Sequence, residues 1–217
     1  GKSELGIRLA RHFRGEIVSA DSRQVYRSLD LGTGKITPAE AGTVKHHLID
    51  VEDVSNYFSL AQYQRAAYSA IDSIIAADKM PLLVGGTGLY YRALTRGFFP
   101  GPARDMATRA RLERIAERRG VERLHALLHR VDPASAERVH PRDRKRLIRA
   151  LEVYLLTGRP LTTHFAETQA PLPEYDVVSF ALQIPPELTA DRVAARVDAQ
   201  FQQGLLDEIR GILASGI

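Results

Sequence analysis

Cysteine is absent from the 217 residues. Disulfides and cysteine-ligated zinc are therefore excluded, and a reducing cytoplasm is the expected setting. No apolar run approaches the roughly 18 residues that a membrane-spanning helix needs, and no secretory leader is visible, so a membrane is not among the expected partners. Internal repeats and low-complexity tracts are also lacking. What is present is 44% hydrophobic residues, enough for one large domain or a core plus a small one. The net charge of +4 is modest, but it is unevenly spread. Residues 104–149 carry 14 Arg and Lys against 7 Asp and Glu, whereas the remainder carries 16 against 19. The whole basic excess lies in one segment, which predicts a polyanion-facing module set into a slightly acidic body.

The most informative stretch is the first. Gly1-Lys2-Ser3 matches the end of the pattern G-x-x-x-x-G-K-[ST], in which backbone N–H groups cradle phosphates, Lys reaches the terminal ones and Ser or Thr binds Mg²⁺. The front of that pattern and its preceding strand are missing, so the sequence is expected to be part of a longer chain. Leu5, Leu9 and Phe13 share a four-residue spacing that predicts a helix, Gly15 stops it, and 16–20 reads as a short buried strand. Loop, helix, strand is the order a phosphate loop requires; the plainer reading of Ser3 is a helix N-cap.

Asp21 follows that strand, where open α/β sheets place their ligands, although taken alone an N-cap role aided by Ser22 is the better reading. Residues 31–35 (L-G-T-G-K) form a Gly-rich turn with too few glycines in register for a second phosphate loop. Residues 46–50 (H-H-L-I-D) read as a strand whose adjacent His46 and His47 face opposite ways and so do not share a metal. A helix is predicted over 56–77, with Ser59 helping to cap it. Leu82-Leu83-Val84 reads as a buried parallel strand, and Gly85-Gly86-Thr87-Gly88 after it allows close backbone approach to a ligand. Many phosphate-loop hydrolases place a magnesium-ordering acid at the end of such a strand. Its absence here argues against an ordinary ATPase or GTPase.

Residues 97–102 (G-F-F-P-G-P) read as a linker. Three helices are predicted in the basic segment, over 107–119, 123–130 and 142–156; on the third, Lys145 and Arg149 lie one turn apart. A solvated basic helix is the plain reading, and the segment-wide surplus favours contact with a phosphate backbone. Residues 162–174 read as a loop, 177–184 as a core strand, and 189–213 as one helix bearing Arg192 and Arg196 on a common face.

Taken together, the motifs resemble the tRNA dimethylallyltransferases, also called tRNA isopentenyltransferases. They are G-K-S (1–3), S-A-D-S-R-Q-V-Y (19–26), L-G-T-G-K (31–35), H-H-L-I-D (46–50), L-V-G-G-T-G-L-Y (83–90), V-D-P-x-x-A-x-R-V-H-P-x-D (131–143), R-L-I-R-A-L-E-V-Y (146–154) and R-V-D-x-x-F-x-x-G-L-L-D-E (196–208). The resemblance implies an α/β fold: a P-loop kinase-like core with a parallel sheet, formed by 1–103 and 159–217, and a basic helical insertion over 104–158. It implies transfer of a dimethylallyl group from its diphosphate to the exocyclic amine of the adenine just 3′ of the anticodon in tRNA. Asp21, Thr87, Arg192 and Arg196 match catalytic positions, with Asp21 as proton acceptor. Gly1, Lys2 and Ser3 match the diphosphate site, Ser3 through Mg²⁺. Asp21, Ser22, Arg23, Gln24, Thr87, Arg109, Lys145, Arg146, Leu147, Ile148 and Arg149 match positions that contact tRNA. The expected partners are the tRNA anticodon stem-loop and dimethylallyl diphosphate, and the expected state is a monomer.

Two alternatives remain at this stage. A small-molecule P-loop kinase shares the fold but gives no reason for the arginine-rich segment. A non-catalytic RNA-binding module does not account for the retention of Lys2, Ser3, Asp21 and Thr87.

Overall fold

The computed structural model describes residues 1–99, 101–167 and 175–216. Two compact units emerge: Gly1–Thr95 with Leu172–Ile217, and Arg96–Pro171.

The first unit is a parallel α/β sandwich. Its strands are β1 (Gly15–Ala20), β2 (His46–His47) and β3 (Met80–Gly85), in the order β2-β1-β3. The β1–β3 ladder runs from Gly15 opposite Met80 to Ala20 opposite Gly85. Successive side chains of a strand face opposite ways, and the central strand obeys this strictly. Ile17 packs with Ile7 and Ala10 of α1 (Lys2–His12), while Val18 and Ala20 pack against the other side. There they meet Tyr63, Ala67, Ile71 and Ile74 of α3 (Leu60–Ala76), together with Tyr90 and Leu94 of α4 (Gly88–Thr95). Strand β1 is buried on both faces, whereas Leu82, Leu83 and Val84 of β3, expected to be buried, are only partly so. The short α2 (Pro38–Ala41) lies between β1 and β2 in the chain and opens with a capping box, Thr37 with Glu40.

Several expectations shift. Helix α3 begins after Ser59, not at Asn56, because the Ser59 hydroxyl accepts from the Gln62 N–H while the Gln62 side chain accepts from the Ser59 N–H. Strand β2 stops at His47: Leu48 (φ 63°) and Asp50 (φ 58°) are left-handed and cannot continue a ladder. The two histidines do split, His46 Nδ1 to the Val44 carbonyl and His47 Nε2 to Glu16.

Residues 177–184 do not form the predicted core strand. They pair with no strand among the described residues, and Val178 and Phe180 are 74% and 81% exposed. The predicted helix over 189–213 is two helices, α10 (Pro186–Gln202) and α11 (Leu205–Ala214), in the numbering of the whole chain. Gly204, at φ 99°, breaks it.

The second unit is all helical: α5 (Met106–Arg119), α6 (Val121–Val131), α7 (Pro133–Arg138), α8 (Arg144–Thr157) and α9 (Leu161–Ala166). The last occupies part of the stretch expected to be loop; 168–174 of that stretch lie outside the described residues. Leu112, Leu124, Leu128, Leu147 and Leu151 form the core. Asp132, buried, caps α7 by accepting from the Ser135 N–H and also accepts from the Thr162 N–H and hydroxyl. Burial would raise its pKa, but these bonds outweigh it and hold the carboxyl below the usual range. Among the described residues no helix is long and apolar enough to cross a membrane.

Candidate active site

The C-terminal ends of β1 and β3 come together because Gly85 has no side chain. A Cβ there would lie 2.2 Å from the Ala20 carbonyl oxygen, so any other residue would pry the two strand ends apart. The segment after each strand is thereby held against the other. The Thr87 N–H donates to the Ala20 carbonyl at 3.0 Å. The Thr87 hydroxyl accepts from the Ser22 N–H at 3.0 Å and lies 3.3 Å from the Ser22 hydroxyl.

Asp21 stands at this junction. Its Oδ1 accepts from the Arg23 N–H at 2.9 Å and more weakly from the Gln24 N–H at 3.4 Å. No helix follows, so Asp21 is not the helix N-cap that the sequence suggested; it closes a turn over 22–25, and Ser22 bonds Thr87 instead. Among the described residues only Oδ1 is hydrogen-bonded, and the side chain is partly open to solvent.

Gly1 is the N-cap residue of α1, so Lys2 and Ser3 occupy its first turn, beside free N–H groups and the positive end of the helix dipole. Lys2 reaches over the β3–α4 turn: a Cβ at Gly86 would lie 3.8 Å from its Nζ. The lysine of the phosphate loop and Thr87 thus border the same turn. Ser3 lines a small cavity with Ser19, Gln24 and His46.

Helix α10 places the two arginines differently. The Glu4 carboxyl is held low first by the Gly1 amino group, then by Arg8 and Arg192, which sets Arg192 near the first turn of α1. Arg196 lies against Gly34.

Two buried aromatics form the floor. Tyr63 and Tyr90 stack with ring centroids 3.6 Å apart, and the Tyr63 hydroxyl donates to the Ser19 carbonyl at 3.1 Å. Burial, then the neighbouring Tyr26 and Tyr57 phenols and the Asp21 carboxylate, push Tyr90 up to about 12, and burial first raises Tyr63 further still. Tyr90 stands inside the L-V-G-G-T-G-L-Y motif, yet nothing in its spacing announced a stack with a residue 27 positions earlier.

Within the helical unit, the anticipated RNA-facing residues separate into kinds. Leu147 and Ile148 are buried in the core, so their side chains do not face solvent. Lys145 and Arg146 are exposed. Arg109 and Arg149 are partly exposed and share a buried carboxylate, Glu152, whose own exposure is 0%. Arg109 Nε and Nη2 donate to it at 2.7 and 2.9 Å, Arg149 Nη1 at 2.7 Å, and the Asp105 N–H at 2.9 Å. Burial would raise the pKa of Glu152; the bonds from Arg109, Arg149 and Asp105 overcome that and bring it to about 2. A lone acid between Leu151 and Val153 in an apolar stretch was the available signal for this cluster.

Comparison with known proteins fits these observations. The family described as IPP transferase matches residues 24–217. The tRNA dimethylallyltransferase of Roseiflexus castenholzii is 50% identical over 217 residues, covering 100% of this chain and 70% of that protein. The crystal structure of full-length tRNA isopentenylpyrophosphate transferase from Bacillus halodurans is 39% identical, with a TM-score of 0.67 over 100% of this chain and 67% of that one. A eukaryotic dimethylallyltransferase acting on tRNA is 28% identical, with a TM-score of 0.78 over 99% of this chain and 53% of that one. A family match over most of the chain and relatives of this identity over its full length show that the chain belongs to the IPP transferase family.

Proposed function

We propose that this protein transfers a dimethylallyl group from dimethylallyl diphosphate to the exocyclic amine of the adenine 3′-adjacent to the anticodon in tRNA, releasing diphosphate. The observation that carries this reading is the meeting of Lys2, Thr87 and the Asp21–Gln24 turn at the ends of β1 and β3. A cationic group, a hydroxyl and a carboxylate then border one site, which is what an anionic leaving group and an amine nucleophile require.

In this reaction a nitrogen–carbon bond forms as a carbon–oxygen bond breaks. The bonding electron pair leaves on the diphosphate, and the amine loses one proton. Asp21 is the proton acceptor, held in place through Oδ1 while Oδ2 faces the substrate. Lys2, the N–H groups at the start of α1, and Arg192 with Arg196 take up the charge that develops on the diphosphate. Thr87 fixes the Asp21–Ser22 turn and borders the reacting carbon. The adenine leaves its stack to enter the site, and Ser22, Arg23 and Gln24 adjoin the flipped nucleotide. The helical unit grips the anticodon stem-loop through Arg109, Lys145, Arg146 and Arg149.

Magnesium has a compatible but incomplete set of ligands. No group of three or more His, Asp or Glu side chains among the described residues could hold an ion by itself. Ser3 offers one hydroxyl, which suits a cation that keeps its waters and arrives on phosphate oxygens. Bound there, it would offset leaving-group charge.

The test is transfer of labelled dimethylallyl from its diphosphate to an anticodon stem-loop. Incorporation at the adenine 3′ of the anticodon is expected, with ATP unable to replace the donor; phosphorylation of a small molecule without incorporation into RNA would overturn the reading.

A further inference from the structure

Two of the sequence motifs, L-G-T-G-K (31–35) and the G-L-L-D-E ending of 196–208, have no part in the chemistry described above, yet they bind each other. In α11 the Glu208 carboxylate accepts three consecutive backbone N–H groups: Asp30 at 2.9 Å, Leu31 at 2.7 Å and Gly32 at 3.0 Å. Successive N–H groups turned to one side form a concave anion site, and the bonds to an ionised oxygen are the stronger kind. Gln200 of α10 adds a bond from its amide to the Leu31 carbonyl.

On the same turn, Gly34 has φ 59°, and a Cβ there would lie 2.5 Å from Arg196 Nη2 and 2.8 Å from its Cζ. The guanidinium therefore rests directly on the glycine backbone. The Gln24 amide donates to the Thr33 and Gly34 carbonyls at 3.3 and 3.1 Å, and the Gln24 N–H reaches Asp21. Lys35, its side chain 5% exposed, anchors the end of the turn to Asp30 and to the Tyr26 carbonyl at 2.6 Å each, and to Asp50. One turn thus touches both Arg196 and the Asp21 segment, with Glu208 of α11 and Gln200 of α10 bonded to it.

We propose that Glu208 is a positioning residue: seated in the N–H groups of 30–32, it sets where Arg196 lies relative to Asp21, and so whether the guanidinium meets the leaving diphosphate. This rests on the reading that Arg196 faces a diphosphate. In Glu208→Gln the amide oxygen can keep two of these bonds, but they lose their charge and the NH₂ is forced against the third donor, so the lock is loosened while volume is kept.

The test uses the protein at full length, with single-turnover transfer to an anticodon stem-loop at saturating dimethylallyl diphosphate. Glu208→Gln should lower the rate by up to about 100-fold, the effect of an ångström-scale misplacement, with donor affinity changed far less. In an Arg196→Gln background the same substitution should cost nothing further. Asp207→Asn removes the adjacent carboxylate but none of the three bonds, and should leave the rate in place. A near-wild-type rate for Glu208→Gln, losses that multiply with Arg196→Gln, or an equal fall in Asp207→Asn would each overturn the proposal. If the wild-type protein transfers nothing, the catalytic reading fails on its own. The positioning claim is then decided by the NMR signal of the Arg196 Nε–H: a shift in Glu208→Gln upholds it, and an unchanged signal sinks it.

Discussion

The α/β unit and the helical unit hold their functional charges by opposite means. At the ends of β1 and β3, Asp21 is bound by backbone N–H groups two and three residues away, and Thr87 by the backbone of Ala20 and Ser22. Among the described residues no counter-charge is bonded to Asp21 there. In the helical unit the charges hold one another. Arg109 and Arg149 lean on Glu152, Arg144 on Glu113 and Glu117, and Arg146 on Asp143. The basic surplus counted from the sequence is therefore not evenly available. Lys145, exposed and without a carboxylate partner among the described residues, is free to meet a phosphate. Arg144 has already been neutralised.

The sharpest way to break this contrast is Asp21→Ala. Loss of a general base should cost about 10²–10⁴ in single-turnover rate while tRNA affinity changes only a few-fold. A rate near wild type would mean that Asp21 only caps its turn, and that the two units differ less than described.

Next in size is the buried carboxylate. Glu152 has its pKa lowered from 4.5 to about 2, so it stabilises the fold above the unfolded value and loses that contribution as pH falls through the folded one. The shift corresponds to on the order of 3 kcal/mol, withdrawn between about pH 4.5 and 2. Glu152→Gln should flatten the acid limb of the stability curve in that window, read by denaturant unfolding at successive pH. An unchanged limb would show that the cluster contributes no linkage.

The smallest effects separate arginine from lysine within one helix. Lys145→Ala should reduce the salt dependence of stem-loop binding by roughly 0.7–0.9 of a log–log unit, with the thermal midpoint unmoved. Arg144→Gln should leave that slope alone and lower stability by on the order of 1 kcal/mol, since its pairs with Glu113 and Glu117 are only partly exposed. Equal slopes for both variants and wild type would make α8 a solvated face.

Much of the α/β unit was legible because its signals are local. The spacing of Leu5, Leu9 and Phe13 announced α1, although its buried face is Gly6, Ile7 and Ala10, and the helix ends at His12, before left-handed Arg14 and before Gly15, which opens β1. The failure at 177–184 is instructive: apolar character is needed for a core strand, but a ladder partner makes one. The single predicted helix over 189–213 had the right apolar spacing throughout, and one left-handed glycine, Gly204, divided it. The motifs named Lys2, Asp21 and Thr87, which the fold places near the ends of β1 and β3. What could not be read were the supports. Glu152 meets Asp105 and Arg109 across 47 and 43 residues, and Glu208 meets the 30–32 turn across 176 to 178. Such pairings have no period and leave no mark on a one-dimensional pattern.

The stacked floor also gives the protein an optical handle. With eight tyrosines and no tryptophan, all emission in the aromatic range is tyrosine emission, unmasked by a stronger fluorophore. Excitation captured elsewhere migrates among phenols, and a face-to-face pair at 3.6 Å is where it is most readily dissipated. Tyr63 and Tyr90 lie directly beneath the strand ends, so a ligand that tightens or loosens their overlap changes the quantum yield of the whole molecule. In an alkaline titration followed by absorbance, the same two phenols should be the last to ionise. Donor binding could thus be followed in the unlabelled protein.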